Sequence, residues 1–474
     1  MRATISNDSI VLENPDKKVY SYFEKLCQYK DKAASYSLNR LSKSYYLRNA
    51  SYIGTPQRQK VINQISELKT KVYGNIMVKQ RESYYILPSG FASHLHQFKE
   101  LEIIDNRKET GSRVSYPWVK KPHDLRDYQA EAVSAIESNF RGMINLSTGA
   151  GKTLIAIHAI RLIKKKTLIL CPSDFIASQT EALLISAFGE SKVCFYGDGI
   201  KKTDKAIIVG IVNSVNNDIE KFKELDLGLI IIDEAHKTAA DTVYNIAGSL
   251  SNVGKIFGLT ATNYRNDGKD VLLEASCGNT LIEKDTIWCI ENNWLTPPVF
   301  LMKTIPGVAD HKDNKDKNYK ANVLYNDKAN TIFISDIQAD LANGRKVLCL
   351  VDQVEHGRIL SAATGLPFVT GADKNSDRFI KDFNKGLIQG LIATDSKVGE
   401  GSDLPAIDSL IMANFTASKV AVIQCLGRGL RLYPGKKECL VRDYTVIGCN
   451  MFERHSLMRI GYYKEITDSI ILVR

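Results

Sequence analysis

From Leu125 onward, apolar β-prone runs alternate with helical stretches, and this rhythm constrains the fold more than any other feature of the sequence. The first series comprises MINL (143–146), TLIL (167–170), AIIVGIV (206–212), LGLIIID (227–233) and KIFGLTA (255–261). The second comprises KVLCLVD (346–352), PFVTG (367–371), GLIAT (390–394), SLIMAN (409–414) and CLVRDYTV (439–446). Strands that are apolar along their whole length must be covered on both faces, and helices between them make the sheet parallel. The pattern predicts an α/β architecture used twice. Between the two series lie Leu295-Thr296-Pro297-Pro298 and a tract rich in Lys, Asn and Asp, DHKDNKDKNYK (310–320), which reads as a mobile loop.

Two strings in the first series carry chemistry. Ser147-Thr148-Gly149-Ala150-Gly151-Lys152-Thr153 falls between MINL and the helical LIAIHAIRLI, the strand–loop–helix setting that a phosphate-binding loop requires. Gly149 and Gly151 let backbone N–H groups turn inward at a helix N-terminus, where an anion is favoured; Thr148 and Ala150 complete the wrap. Lys152 would reach the β- and γ-phosphates, and Thr153 would place its hydroxyl on Mg²⁺. Leu146 stands where the full pattern has its first glycine. Further on, LGLIIID ends in Asp233-Glu234-Ala235-His236, placing carboxylates at the C-terminal end of a parallel strand, the ligand-binding edge of such a sheet. Asp233 can hold Mg²⁺, and Glu234 can orient and deprotonate an attacking water. Together the strings predict ATP hydrolysis with Mg²⁺.

At 474 residues the chain is too long for one core. Its net charge of +10 is unevenly spread: residues 1–115 hold 19 Lys and Arg against 11 Asp and Glu, together with ten of the 21 tyrosines. A basic, tyrosine-rich segment is what a polyanion-binding module looks like, because cations displace phosphate counterions and rings stack on bases; a solvated surface over a tyrosine-filled core is the plain alternative. No run of eighteen apolar residues predicts a membrane-spanning helix, and the first residues lack a signal-peptide pattern. Nine cysteines without a CxxC pair argue against a disulfide framework and a zinc ribbon. The expectation is a reduced, cytoplasmic protein.

Leu125-Arg126-Asp127-Tyr128-Gln129, just before the first strand, resembles the adenine-reading Q motif of superfamily 2 helicases. The resemblance continues in order over residues 125–445. Gly258-Leu259-Thr260-Ala261-Thr262, followed by Asn263-Tyr264-Arg265-Asn266-Asp267-Gly268, is similar to motif III, with Asn263 in place of the usual proline. Ile392-Ala393-Thr394-Asp395 through Gly399-Glu400-Gly401-Ser402-Asp403-Leu404-Pro405 is similar to motif V. Gln424-Cys425-Leu426-Gly427-Arg428-Gly429-Leu430-Arg431 matches motif VI.

The resemblance implies two tandem RecA-like domains, spanning 116–296 and 297–474, preceded by a small basic α+β domain over 1–115. It implies that Gln129 reads adenine, that Gly401 and Asp403 contact the nucleotide, and that His236, Thr260, Thr262 and Gln424 couple hydrolysis to movement. Arg428 and Arg431 would reach the γ-phosphate, a task suited to a side chain that stays charged and binds bidentately. Softer candidates for gripping a strand are Pro172-Ser173, Asn213-Ser214 and Thr394.

The LTAT and QxxGRxxR forms resemble DNA-directed members of the superfamily: XPB-like, restriction-subunit-like and UvsW-type. The layout, together with the segment from Tyr73 to Gly90, is similar to the UvsW-type branch-migration helicases of tailed bacteriophages. That likeness implies branched or duplex-containing DNA as partner, meaning forks, Holliday junctions, D-loops or R-loops in replication, recombination and repair. A phage-encoded chain would act in the host cytoplasm. An ATP-dependent RNA helicase and an ATP-gated clamp without net unwinding remain alternatives. The sequence sets no oligomeric state, and a monomer is compatible with it.

Overall fold

The computed structural model describes residues 1–44, 47, 55–81, 83–261, 267–312, 314–371, 373, 375–394, 404, 407–467 and 469–473. The chain divides into two compact units, one formed by 1–146 with 152–283 and the other by 147–151 with 284–474. No described helix is long and apolar enough to cross a membrane. Both large sheets are parallel apart from a short edge hairpin, so the fold is α/β with two RecA-like sheets.

The first unit opens with a small mixed sheet. Its order is Val78–Arg81, Tyr84–Pro88, Ser9–Glu13, Arg2–Ile5, Glu102–Asp105, antiparallel except for the last pair. Burial alternates along Arg2–Ile5 and Ser9–Glu13, so one face is apolar and takes Val19 and Phe23 from the helix Lys17–Leu26. These first two strands have no counterpart among the expected elements: four or five residues of alternating pattern are a weak signal. The helices of this region are Lys17–Leu26, Lys32–Ser42 and Pro56–Val72. A 3-10 helix, Ser89–Gln97, follows Leu87-Pro88.

The large sheet of this unit runs Ile200–Lys201, Val193–Gly197, Ile207–Ile211, Thr167–Cys171, Leu229–Ile232, Lys255–Thr260, Arg141–Leu146, Thr280–Lys284. Its inner strands are buried at nearly every residue, as their unbroken apolar runs require. Leu229–Ile232, Lys255–Thr260 and Arg141–Leu146 are neighbours, so the segments following them emerge side by side at one edge.

The second unit holds a seven-stranded sheet ordered Phe368–Val369, Gly390–Thr394, Val347–Val351, Ser409–Ala413, Cys439–Ile447, Pro298–Pro306, Ile470–Val473, with every pairing parallel. Pro298–Pro306 is a strand that neither of the two apolar series includes. Proline is tolerated at the first residue of a strand, and this one pairs along its full length with Cys439–Ile447. The tract 310–320 also differs from the expected loop. Asn314 caps the helix Lys315–Tyr319, which continues into a π turn, Lys320–Leu324, and both Asn318 and Tyr319 are fully buried. Asn318, Asn322, Asn326 and Asn330, spaced by one helical turn, satisfy backbone carbonyls at Lys312, Ala309, Pro306 and Val323. Charge content alone reads as solvent exposure; here amide hydrogen bonding holds the tract down.

Charged groups fasten the helix Asp327–Ala342 to this sheet. Arg442 makes two 2.7 Å hydrogen bonds to the Asp340 carboxylate, which also accepts from Ser409 Oγ at 2.6 Å. Asp336 accepts from Tyr444 Oη at 2.9 Å and pairs with Lys303 and Arg442. All nine cysteines are free thiols and buried. Burial pushes the Cys27 and Cys277 thiols up to about 12.

His356 is 0% exposed, with Nδ1 2.8 Å from Tyr319 Oη and Nε2 3.1 Å from Asn330 Oδ1. Burial pushes its pKa down from 6.5 to about 4. The depressed value means that the unfolded state binds the proton more readily between these limits. Stability is therefore full above pH 6.5 and falls as pH drops towards 4, by about 3 kcal/mol in all from this group. Denaturant titrations across that window should show a shallower pH slope for His356→Gln than for the parent chain. An unchanged slope would show that His356 does not set it.

Candidate active site

The helix Lys152–Ile163 follows the strand Arg141–Leu146 through the loop 147–151. Gly149 (φ +87°) and Gly151 (φ +81°) occupy the left-handed region, so both glycines expected in this loop are required by its backbone. Thr148, Gly149 and Thr153 are half-buried, and Ala150 is buried. Ser147 Oγ lies 3.0 Å from Thr286 Oγ1, a neighbour that nothing in the local string announces.

Lys152 is 7% exposed. Its ammonium donates to the Leu146 carbonyl at 3.3 Å and stands 3.8 Å from Glu234 Oε1. Glu234 has φ +45°, a strained conformation for a residue with a side chain, which turns the chain sharply after Leu229–Ile232. Its other oxygen lies 3.4 Å from His236 Nδ1, and that nitrogen is 2.9 Å from Thr260 Oγ1 at the end of the neighbouring strand. Lys152, Glu234, His236 and Thr260 thus form a continuous polar line across three adjacent strand ends.

Asp233 is 8% exposed, and its Oδ1 accepts the Glu234 N–H at 2.9 Å. Burial first and Glu234 second push its carboxyl up to about 6, with Lys152 pulling the other way. Two carboxylates against one lysine leave local negative charge that a divalent cation would relieve. Among the described residues no three His, Cys, Asp or Glu side chains gather as a metal cage. A hydroxyl and one carboxylate are instead the sparse oxygen set that suits Mg²⁺, which keeps most of its waters.

The other expected residues divide. Gln129 is buried and accepts the Arg126 N–H at 2.9 Å, capping its own helix. Ser173 likewise caps Asp174–Phe188, and Asn213 and Ser214 lie in the short helix Val212–Asn217. Thr394 ends its strand, buried. Gln424 and Arg428 lie on the helix Lys419–Gly429, with Arg428 5% exposed and Arg431 half-buried just beyond. Within the second unit, a Cβ on Gly427 would fall 2.5 Å from Thr148 Cβ, and one on Gly149 would fall 3.2 Å from Arg431 Cγ. Thr262, Gly401 and Asp403 lie outside the described residues.

Known proteins resemble this chain in sequence. The family model for the res subunit of Type III restriction enzymes matches residues 122–265, from the Gln129 helix through the segment after Thr260. A putative mitochondrial ATP-dependent helicase of Schizosaccharomyces pombe, irc3, is 28% identical over 367 residues, 70% of this chain and 58% of its own length. In sequence the chain is similar to superfamily 2 helicases. The DNA 3'-5' translocase XPB2 of Sulfurisphaera tokodaii is 33% identical over 191 residues, covering 39% of this chain and 41% of the translocase. The chain therefore spans little more than half the length of the first of these relatives and less of the second. The crystal structure of T4 UvsW aligns over 100% of this chain and 99% of its own at 15% identity, with a TM-score of 0.44.

Proposed function

We propose that this chain is an ATP-dependent DNA helicase or translocase that remodels branched DNA, meaning forks, Holliday junctions, D-loops and R-loops, in replication, recombination and repair. The observation that carries the ATP-driven part is the line Lys152–Glu234–His236–Thr260 beside a glycine loop at a helix N-terminus. It joins a phosphate-binding cation, a candidate base and two residues that can relay the state of the γ-phosphate.

In this reading the backbone of Thr148–Gly151 and the Lys152 ammonium hold the phosphates. Glu234 orients and deprotonates the attacking water, with His236 and Lys152 fixing its carboxylate. Asp233 and Thr153 are the oxygen donors for Mg²⁺, which when bound would neutralise phosphate charge. Gln129 reads adenine through its amide while its carbonyl caps the helix. Arg428 and Arg431 meet the charge that develops on the transferred phosphoryl group, Gly401 and Asp403 contact the nucleotide, and Thr262 and Gln424 join the coupling.

A DNA substrate is supported by the name of the archaeal translocase relative and by the basic charge of residues 1–115. Tyr36 and Tyr73 are 71% and 69% exposed, and Lys30 Nζ stands 5.7 Å over the Tyr73 ring, so rings and cations share this surface. Tyr20, Tyr22 and Tyr85 instead pack on other rings.

The test is steady-state ATPase at fixed salt with single-stranded DNA, duplex, four-way junction and RNA in parallel. Junction DNA should stimulate most. Stimulation by RNA alone would replace DNA with RNA as substrate, and junction binding without strand displacement would make the protein a clamp.

A further inference from the structure

The small N-terminal sheet is docked on two helices, Ala240–Ser249 and Asp270–Cys277. Ala275 belongs to the core of that small sheet, and Tyr244 and Val271 pack against it. His94 Nε2 lies 2.7 Å from Glu274 Oε1, and a Cβ on Gly90 would fall 2.2 Å from the Glu274 carbonyl oxygen, so the fit there is close. These are the helices that follow the two strand ends of the active site. Ala240–Ser249 starts four residues after His236, and Asp270–Cys277 follows the segment that leaves Thr260.

One cation ties the three segments together. Lys269 Nζ is 2.6 Å from Asp241 Oδ2, in the first turn of Ala240–Ser249, and 2.8 Å from Asp31 Oδ2 in the N-terminal segment. Asp31 also caps the helix Lys32–Ser42, accepting the Ala34 N–H at 2.8 Å. The adjacent backbone is equally close: Lys32 N–H donates to the Asp267 carbonyl at 2.9 Å, and Gly268, at φ +76°, has no room for a Cβ beside the Lys30 carbonyl. Burial disfavours the Lys269 charge, but its bonds to Asp241 and Asp31 outweigh this and leave the ammonium harder to deprotonate than usual.

We propose that Lys269 is a positioning residue that couples the nucleotide site to the N-terminal domain, holding Asp31 to Asp241 so that a shift after His236 or Thr260 moves the basic helix Lys32–Ser42. Charge-assisted bonds of this length are lost over a displacement of about an ångström, so the latch responds to small movements. The inference rests on the DNA-motor reading given above, and it adds the route by which ATP changes the grip on DNA.

The test uses the full chain and its Lys269→Met variant. It compares affinity for four-way junction DNA with and without a non-hydrolysable ATP analogue, alongside basal and junction-stimulated ATPase. The variant should keep basal turnover and nucleotide-free DNA affinity, lose about 10-fold in junction-stimulated turnover, and show no nucleotide dependence of DNA affinity. Lys269→Arg should restore both. A simple staple would instead lower thermal stability and DNA affinity whether or not nucleotide is bound, and that pattern would overturn the proposal. So would a wild-type nucleotide response in the variant. If Lys269→Met does not fold, Asp241→Asn keeps the pair with Asp31 and must still blunt the nucleotide response. A parent chain whose ATPase answers to no nucleic acid would sink the motor reading itself, before any variant is compared.

Discussion

Lys152→Ala should lower ATP turnover by at least about 10²–10³-fold while leaving DNA affinity in the absence of nucleotide within about twofold. The ammonium is buried between the Leu146 carbonyl and Glu234, so its loss removes the cation proposed to meet the phosphates and one of the groups fixing that carboxylate. Little of it faces solvent, so it offers DNA almost no contact. Glu234→Gln keeps the shape of the site and removes the base. It should also cost about 10²–10⁴ in turnover, but with ATP affinity retained, whereas Lys152→Ala should weaken ATP binding as well. Filter binding and single-turnover hydrolysis separate the two. Near-normal turnover in Lys152→Ala would reject the phosphate-loop assignment.

A second large effect is expected far from that site. Arg459 and Asp443 are both fully buried, with Arg459 Nε 2.7 Å from Asp443 Oδ2 and Nη2 3.0 Å from Oδ1. Tyr463 Oη donates to the same carboxylate at 2.7 Å. Removing only the cation strands a buried anion, and breaking such a pair costs about 3–5 kcal/mol. Arg459→Met should therefore lower the unfolding midpoint of the second unit by roughly 10 °C. Combining it with Asp443→Leu, which removes the stranded charge, should recover part of the loss. Calorimetry that finds the double variant worse than the sum of the singles would show that packing, rather than the uncompensated charge, sets the penalty.

How much of this could be read from the sequence follows from what each residue answers to. The loop 147–151 was legible because backbone geometry restricts it: Gly149 and Gly151 take positive φ, which glycine alone adopts freely. Central strands were legible because burial on two faces leaves long apolar runs, as in Leu229–Ile232. Pro298–Pro306 was missed because its alternating burial and its prolines imitate a connector. Ile470–Val473 was missed because an edge strand is only half covered. The helix Lys315–Tyr319 was hidden by its charges, since what anchors it is the pairing of buried amides with distant carbonyls. Lys269 carried no local signal at all. Its partners come from segments far apart in the chain, and only the fold brings Asp31 and Asp241 to the same ammonium.

The nine cysteines have a practical consequence. With every native thiol enclosed, and several held at a pKa where little thiolate forms, maleimide reagents should find almost nothing to modify on the folded chain. One cysteine introduced on the surface of each unit would then accept a donor and an acceptor dye without prior removal of native residues. Energy transfer between them, followed through a single round of ATP turnover, would test directly whether the two units move as the proposed motor requires.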